Sequence, residues 1–251
     1  HHKQNCGLSK SRETGFKQAT GEWICFMDHD DGMNPRAIAH LMDYADESVD
    51  IVAARYKNIL NKDFEQYVWE DMPHTKVCEL SHDRAVNMLG SFGQYEVPEC
   101  LWGKIYRKTL FEQIEISKYE KTFPLVYFED VLLTSALVKQ CRRMKILNQY
   151  AYIHRVDFGS VSMSPHALEF NLETARTADV VIARVREPYA PKAYMKVLQN
   201  YLLVFSKNWY LVWWYHKKEK KLLDEMEGLF GKYYDSYRML KVKKPLVPDL
   251  C

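Results

Sequence analysis

No stretch of this 251-residue chain reaches 18 consecutive apolar residues, so none of it is expected to cross a bilayer as a helix. No segment reads as a signal peptide, and neither an internal repeat nor a low-complexity tract is present. The six cysteines, Cys6, Cys25, Cys78, Cys100, Cys141 and Cys251, are scattered, without a Cys-x-x-Cys pair or zinc-ligand spacing. That usage argues against a disulfide framework and for a reducing compartment. A net charge of only +2 gives no reason to expect a nucleic-acid partner. What the chain does have is 47% hydrophobic and 14% aromatic residues, enough for a sizeable core. These properties agree with a soluble, intracellular α/β enzyme but do not single one out.

Chemistry concentrates first at Asp28-His29-Asp30-Asp31. The run before it, Glu22-Trp23-Ile24-Cys25-Phe26-Met27, is short, apolar and β-prone, as a buried strand should be. After it come Gly32 and then Asn34-Pro35, an N-cap and first-turn pair opening an amphipathic helix with Ile38, Leu41, Met42 and Ala45 on one face. Strand, acidic loop, helix is how an α/β sheet presents ligands at its carboxyl edge. Clustered carboxylates repel one another, and a hard divalent cation would relieve the repulsion. A solvated turn whose acids cap the next helix is the alternative.

Periodicity predicts helix from about Ser9 to Thr20, strand from Trp23 to Met27, helix from Pro35 to Asp46 and strand from Asp50 to Ala54. Residues 55–80 alternate polar and aromatic positions and are expected to form a hairpin or long loop. A helix should follow Ser81, then a strand over Leu101–Arg107, a short helix over Lys108–Gln113, a helix from near Glu129 and a strand over Met144–Ile153. Beyond Pro165 the pattern is helical, with breaks near Pro188, Pro191 and Gly228–Gly231. The domain boundary is expected at about residue 163, giving units 1–163 and 164–251.

Upstream of the acidic cluster stand Asn5, Gly7, Ser9 and Arg12, then Ala19 and Gly21-Glu22. The spacing Asn-x-Gly-x-Ser-x-x-Arg, Ala-x-Gly-Glu, strand, Asp-x-Asp-Asp, Pro-opened helix resembles the central block of family 2 glycosyltransferases of the GT-A fold. The resemblance implies a Rossmann-like mixed sheet flanked by helices, lacking its first nucleotide-binding strands in this sequence, followed by a helical accessory region. It implies a nucleotide-sugar donor, a UDP-sugar first, whose diphosphate is bound through Mn²⁺ or Mg²⁺ held by Asp30, Asp28 and Asp31. Two departures stand out: Glu13 sits where Asn commonly follows the Arg, and His29 where a small residue is usual.

A second acidic site is Glu129-Asp130, followed by the helical run Val131–Lys139. Acids in a first helical turn suit the macrodipole, which is the plain reading. The pair follows Trp102-x-Lys104-x-Tyr106-Arg107 and precedes Tyr152-x-His154-Arg155, an order similar to the family's downstream block. That likeness makes Asp130 the catalytic base and Glu129 its support. Gly103 departs from the family's Asn beside the Lys. By the same likeness His154 and Arg155 contact the diphosphate or metal, and Arg12 either touches the nucleotide or neutralises buried acids. Ser160 and Trp102 are weaker candidates for donor-loop and sugar contacts, and Trp102 reads equally as core.

The last third holds an aromatic stretch, Tyr201–Tyr215, interrupted by Ser206-Lys207-Asn208 and followed by His216–Lys221, rich in lysine. Aromatic residues beside basic ones suit a membrane interface; a core-facing helix joined to a solvated charged one suits them slightly better. The functional expectation is an inverting, metal-dependent glycosyltransferase acting on a glycan or lipid-linked acceptor, in surface polysaccharide synthesis at the inner membrane face. Two alternatives are a non-catalytic glycan-binding or scaffolding protein of the same fold and a metal-dependent phosphohydrolase.

Overall fold

The computed structural model describes residues 7–72, 76–89, 96–114 and 129–157, with Asp224 and Gly228 as isolated positions. In chain order the elements are α1 (Leu8–Gln18), β1 (Trp23–Cys25), β2 (Gly32–Met33), α2 (Ala37–Met42), β3 (Ile51–Leu60) and α3 (Asn61–Phe64). They continue with β4 (Val77–Ser81), α4 (His82–Asn87), β5 (Lys104–Arg107), α5 (Thr109–Glu112), α6 (Glu129–Gln140) and β6 (Arg143–Val156).

One mixed sheet organises them, in the order β1-β5-β3-β6-β2, with β4 also on β6. β3 and β6 run parallel, β5 lies antiparallel to both β1 and β3, and β2 and β4 are antiparallel to β6. Strands β1, β3 and β6 therefore point the same way, and their carboxyl ends share one edge.

Side-chain alternation along the strands builds a core on each face of the sheet. Ile51 and Ala53 of β3 join Ile24, Tyr106, Met144 and Ile146 with Leu110 and Phe111 of α5, Ala85 and Val86 of α4, and Leu133 and Leu137 of α6. Val52 and Ala54 face the other way, with Ile105, Leu147 and Ala151 against Ala37 and Leu41 of α2. This is the helix-flanked mixed α/β sheet that the resemblance implied.

The largest departure from expectation lies at residues 55–80. β3 does not stop at Ala54 but runs to Leu60, parallel to β6 as far as Val156. Register shifts at Ala54/Arg55 and Arg55/Tyr56 break the alternation there, so the sequence loses its strand period while the backbone keeps pairing. The expected hairpin or long loop is instead strand, one turn of helix (α3), and β4 returning antiparallel along β6. Helix α2 starts later than expected: Arg36, not Asn34, is its N-cap, and Asn34 Oδ1 accepts the Arg36 N–H at 2.9 Å in the turn just before it. Ser81 precedes α4 in extended conformation without a side-chain cap bond. The boundary near 163, the helical region 164–251, Ser160 and the aromatic stretch 201–215 lie outside the described residues.

Candidate active site

Three segments meet at the carboxyl edge of the sheet. The acidic turn leaves β1 and re-enters the sheet at β2, closed by an Asp31 N–H to Asp28 C=O bond of 3.3 Å. The β6 terminus brings Tyr152, His154 and Arg155 beneath it through the pairs Gly32–Ile153 and Met33–Tyr152. Glu129 and Asp130 occupy the first turn of α6.

Arg12, on α1, joins two of these segments. Its Nη1 donates to Glu129 Oε1, and its Nη2 lies 3.8 Å from Asp28 Oδ1. Burial works against the guanidinium charge, but Glu129, Asp130 and Asp28 more than offset it, and the Arg12 pKa is raised. Of the two roles the sequence left open for Arg12, neutralising acids is the one its contacts display.

Asp130 carries the largest carboxylate shift of the site. Burial and the neighbouring Glu129 charge push it up to about 6, against the opposing pull of Arg12 and the Val131 N–H. That N–H donates to Asp130 Oδ1 at 2.8 Å. Asp28 is likewise raised, by burial first, with Arg12 and His154 opposing and Asp30 adding to the rise. Asp31 is raised by burial against its hydrogen bonds from Arg155 and Tyr152. Carboxylates outnumber the cations that face them, and a further positive charge would be favoured here.

Within the turn the acids divide by exposure. The Asp28 and Asp30 side chains are 43% and 46% exposed, whereas Asp31 is only 8% exposed. Asp31 Oδ2 accepts from the Tyr152 hydroxyl at 2.8 Å and Oδ1 from the Arg155 N–H at 2.9 Å. His29, in the place of a usually small residue, is 98% exposed, so its size costs nothing.

His154 reaches the site as a ring stacked parallel to Trp102, 5.8 Å between centroids, with Nδ1 3.0 Å from Asn58 Oδ1. Arg155 contributes its backbone to Asp31, while its guanidinium sits over the Phe64 ring at 5.1 Å. Trp102 is buried against Tyr152 and Tyr56, its core reading rather than an open stacking platform.

Lys104 is fully buried, its Nζ donating to the carbonyls of Pro98 and of Cys100, the latter at 2.8 Å. Burial pulls its pKa down to about 8. Gly103 has φ +70°, and a Cβ there would meet Pro98 Cγ at 2.9 Å. Gly enters this region without strain, and lacking a Cβ it also avoids that contact, which accounts for its presence here.

Tyr152 is the residue that sequence reading missed. Fully buried, it donates to Asp31 and accepts from the Asp28 N–H at 3.1 Å. The available signal was its position in a β-prone run, two residues before His154.

Could the turn hold a divalent cation? Among the described residues no group of three or more His, Cys, Asp and Glu is arranged to cage a metal. Mg²⁺ and Mn²⁺ sites on phosphate substrates need only one or two carboxylates, the phosphates and water supplying the rest. Two exposed, oxygen-only carboxylates, Asp28 and Asp30, suit that mode.

Residues 1–114 match the family model described as Glycosyl transferase family 2. The chain is similar to the cholesterol galactosyltransferase of Borreliella burgdorferi, 25% identical over 95% of this chain and 70% of that protein. It is also similar to the uncharacterized glycosyltransferase EpsJ of Bacillus subtilis, 28% identical over 66% of this chain and 46% of that protein. A third relative is the glycosyltransferase GlyA of Streptococcus pneumoniae, 26% identical over 63% of this chain but 22% of that protein. The chain thus spans 70% of the first relative's length and less than half of each of the other two. The mixed sheet with its acidic turn is consistent with a GT-A-type domain, and the match over residues 1–114 together with these relatives supports a family 2 glycosyltransferase.

Proposed function

We propose that this chain is a metal-dependent, inverting glycosyltransferase, moving a sugar from a nucleotide-diphosphate donor to a hydroxyl of a glycan or lipid-linked acceptor. The observation that carries the reading is the Arg12 bridge, one guanidinium reaching both Asp28 and Glu129. Donor site and base act on one sugar and must lie together, and residues a hundred positions apart do so here. The match to the family 2 glycosyltransferase model supports a nucleotide-sugar donor, of which a UDP-sugar is our choice. The first relative's name, a cholesterol galactosyltransferase, supports a lipid acceptor. The reading puts the protein in the cytoplasm at the inner membrane face, in surface polysaccharide synthesis. No helix among the described residues is long and apolar enough to cross a membrane.

In this scheme Asp28 and Asp30 hold the cation, with Arg12 close by. When bound, Mg²⁺ or Mn²⁺ supplies Lewis-acid neutralisation of the diphosphate as it leaves. Asp130 takes the proton of the attacking hydroxyl, and Glu129 keeps Arg12 in place while its charge makes Asp130 more basic. A single displacement, with the nucleophile opposite the leaving group, inverts the anomeric carbon.

The test is thermal unfolding with a panel of nucleotide sugars, with and without Mn²⁺. A matching donor at a hundred times its Kd should add about 2.7 kcal/mol. That corresponds to roughly 5–10 °C in a chain of this size. Asp30→Ala should remove the Mn²⁺-dependent part. A flat response to every donor would sink the proposal.

Arg12→Ala provides a separate check on the base. Arg12 opposes the rise of Asp130, so its loss should move the acid limb of kcat/KM above pH 6, and Arg12→Lys should restore part of it. A limb that stays put would show that Arg12 does not act on Asp130.

A further inference from the structure

Asp31 and Tyr152 form a closed set of hydrogen bonds beneath the acidic turn. The Tyr152 hydroxyl donates to Asp31 Oδ2 at 2.8 Å and accepts from the Asp28 N–H at 3.1 Å. The Arg155 N–H occupies Asp31 Oδ1 at 2.9 Å. A hydroxyl has one proton to give, and here it goes to the carboxylate. Each Asp31 oxygen thus has its own donor, and the side chain is nearly inaccessible. Tyr152 is held in turn by Trp102, their rings stacked at 4.5 Å and 10°. It lies in β6, the strand that pairs with β3 along its whole length.

We propose that Asp31 is the anchor of the turn rather than a cation ligand, and that Tyr152 is the positioning residue that aims Asp28 and Asp30 outward. This rests on the metal-dependent reading above and deepens it, because it assigns the three acids different work. Asp28 is fixed through its backbone by a hydroxyl, Asp31 through its side chain, and only Asp28 and Asp30 keep carboxylates open to a ligand. Outer groups that orient metal ligands typically contribute 10–100-fold in affinity. Tyr152→Phe deletes the hydroxyl and keeps the ring on Trp102.

Mn²⁺ binding in the presence of UDP, or of GDP where UDP fails, read by the loss of the free-Mn²⁺ spin-resonance signal, tests the assignment without turnover. Tyr152→Phe is expected to weaken Mn²⁺ binding by about 10–100-fold. In transfer assays the same variant should raise the donor KM about tenfold, with kcat within about threefold of wild type, a split that general loss of fold would not give. Asp31→Asn keeps one acceptor oxygen but turns an N–H against the other donor, so it should weaken Mn²⁺ binding no more than Tyr152→Phe does and far less than Asp30→Asn, which removes a ligand. Wild-type affinity in Tyr152→Phe would overturn the proposal. So would an Asp31→Asn loss as deep as that of Asp30→Asn, and this second variant decides the matter even where Tyr152→Phe does not fold. Wild-type protein that binds no Mn²⁺ with either nucleotide would instead remove the metal-dependent reading itself, and this assignment with it.

Discussion

Asp130→Asn is expected to lower kcat by about 10²–10⁴-fold, the usual contribution of a positioned general base, while donor binding with Mn²⁺ stays within a few-fold. Asn keeps the size of the side chain and the acceptor for the Val131 N–H but cannot take a proton. The wild-type pH profile should carry the same signature. With Asp130 at about 6, kcat/KM should climb tenfold per unit below that value and level off above it. Stability should move the other way. Asp130 is raised from 3.8, so between about pH 4 and 6 the folded chain holds a proton that the unfolded chain has lost. Folding stability therefore falls as pH rises through that window, and the full penalty remains at neutral pH. Asp130→Asn should then melt above wild type at pH 7 while turning over far more slowly. Unchanged turnover in this variant would remove Asp130 from the mechanism.

At the opposite edge of the sheet the largest stability effect is expected at Asp50. This carboxylate, 2% exposed, accepts from Arg142 through its backbone N–H at 2.7 Å, Nε at 3.0 Å and Nη2 at 2.7 Å. Arg107 Nε stands 3.3 Å away. Its own backbone pairs with Arg143 and Arg107, so one residue ties the entries of β3 and β6 to the exit of β5. Removing one partner of a buried pair typically costs 3–5 kcal/mol. Asp50→Ala should therefore lower Tm by roughly 10 °C, checked by calorimetry, with kcat of the folded fraction near wild type. Burial raises the Asp50 pKa, yet Arg142 and Arg107 outweigh it and hold the group below its ordinary 3.8. The pair's contribution is thus complete above pH 4 and is lost only as acid takes the pH down through the lowered value. A change in Tm of under about 2 °C would show that solvent screens the pair despite its burial.

The order of chemistry along the chain was legible from sequence: β1, the acidic turn, α2, β5 and the first turn of α6 all stand near where periodicity put them. Local signals sufficed there because each motif is short and bounded by its own strand or cap. Three features were out of reach for one physical reason, that they are set through space. Arg12 meets Glu129 across 117 positions and Tyr152 meets Asp31 across 121, and neither partner changes the local pattern around the other. The extension of β3 to Leu60 is likewise imposed by β6, against a sequence that had already lost its alternation. Departures from the family pattern became readable only in three dimensions. Glu13 is held by Lys10 and Lys17 at 2.8 and 2.6 Å, one turn either way on α1. That is a surface helix pairing and leaves the site untouched.

β6 has a consequence in time as well as in space. Met144 to Leu147 lie between β3 and β4, and Tyr152 and Ile153 lie between β3 and β2, so the strand is paired on both sides early in its run and again beneath the acidic turn. Regions paired in this way open last when a protein breathes. The floor of the acidic turn at Tyr152 and Ile153 thus belongs to a slow-opening part of the sheet, while the turn above it is a short loop that can open first. Between turnovers the carboxylates can come and go on a platform that keeps its place.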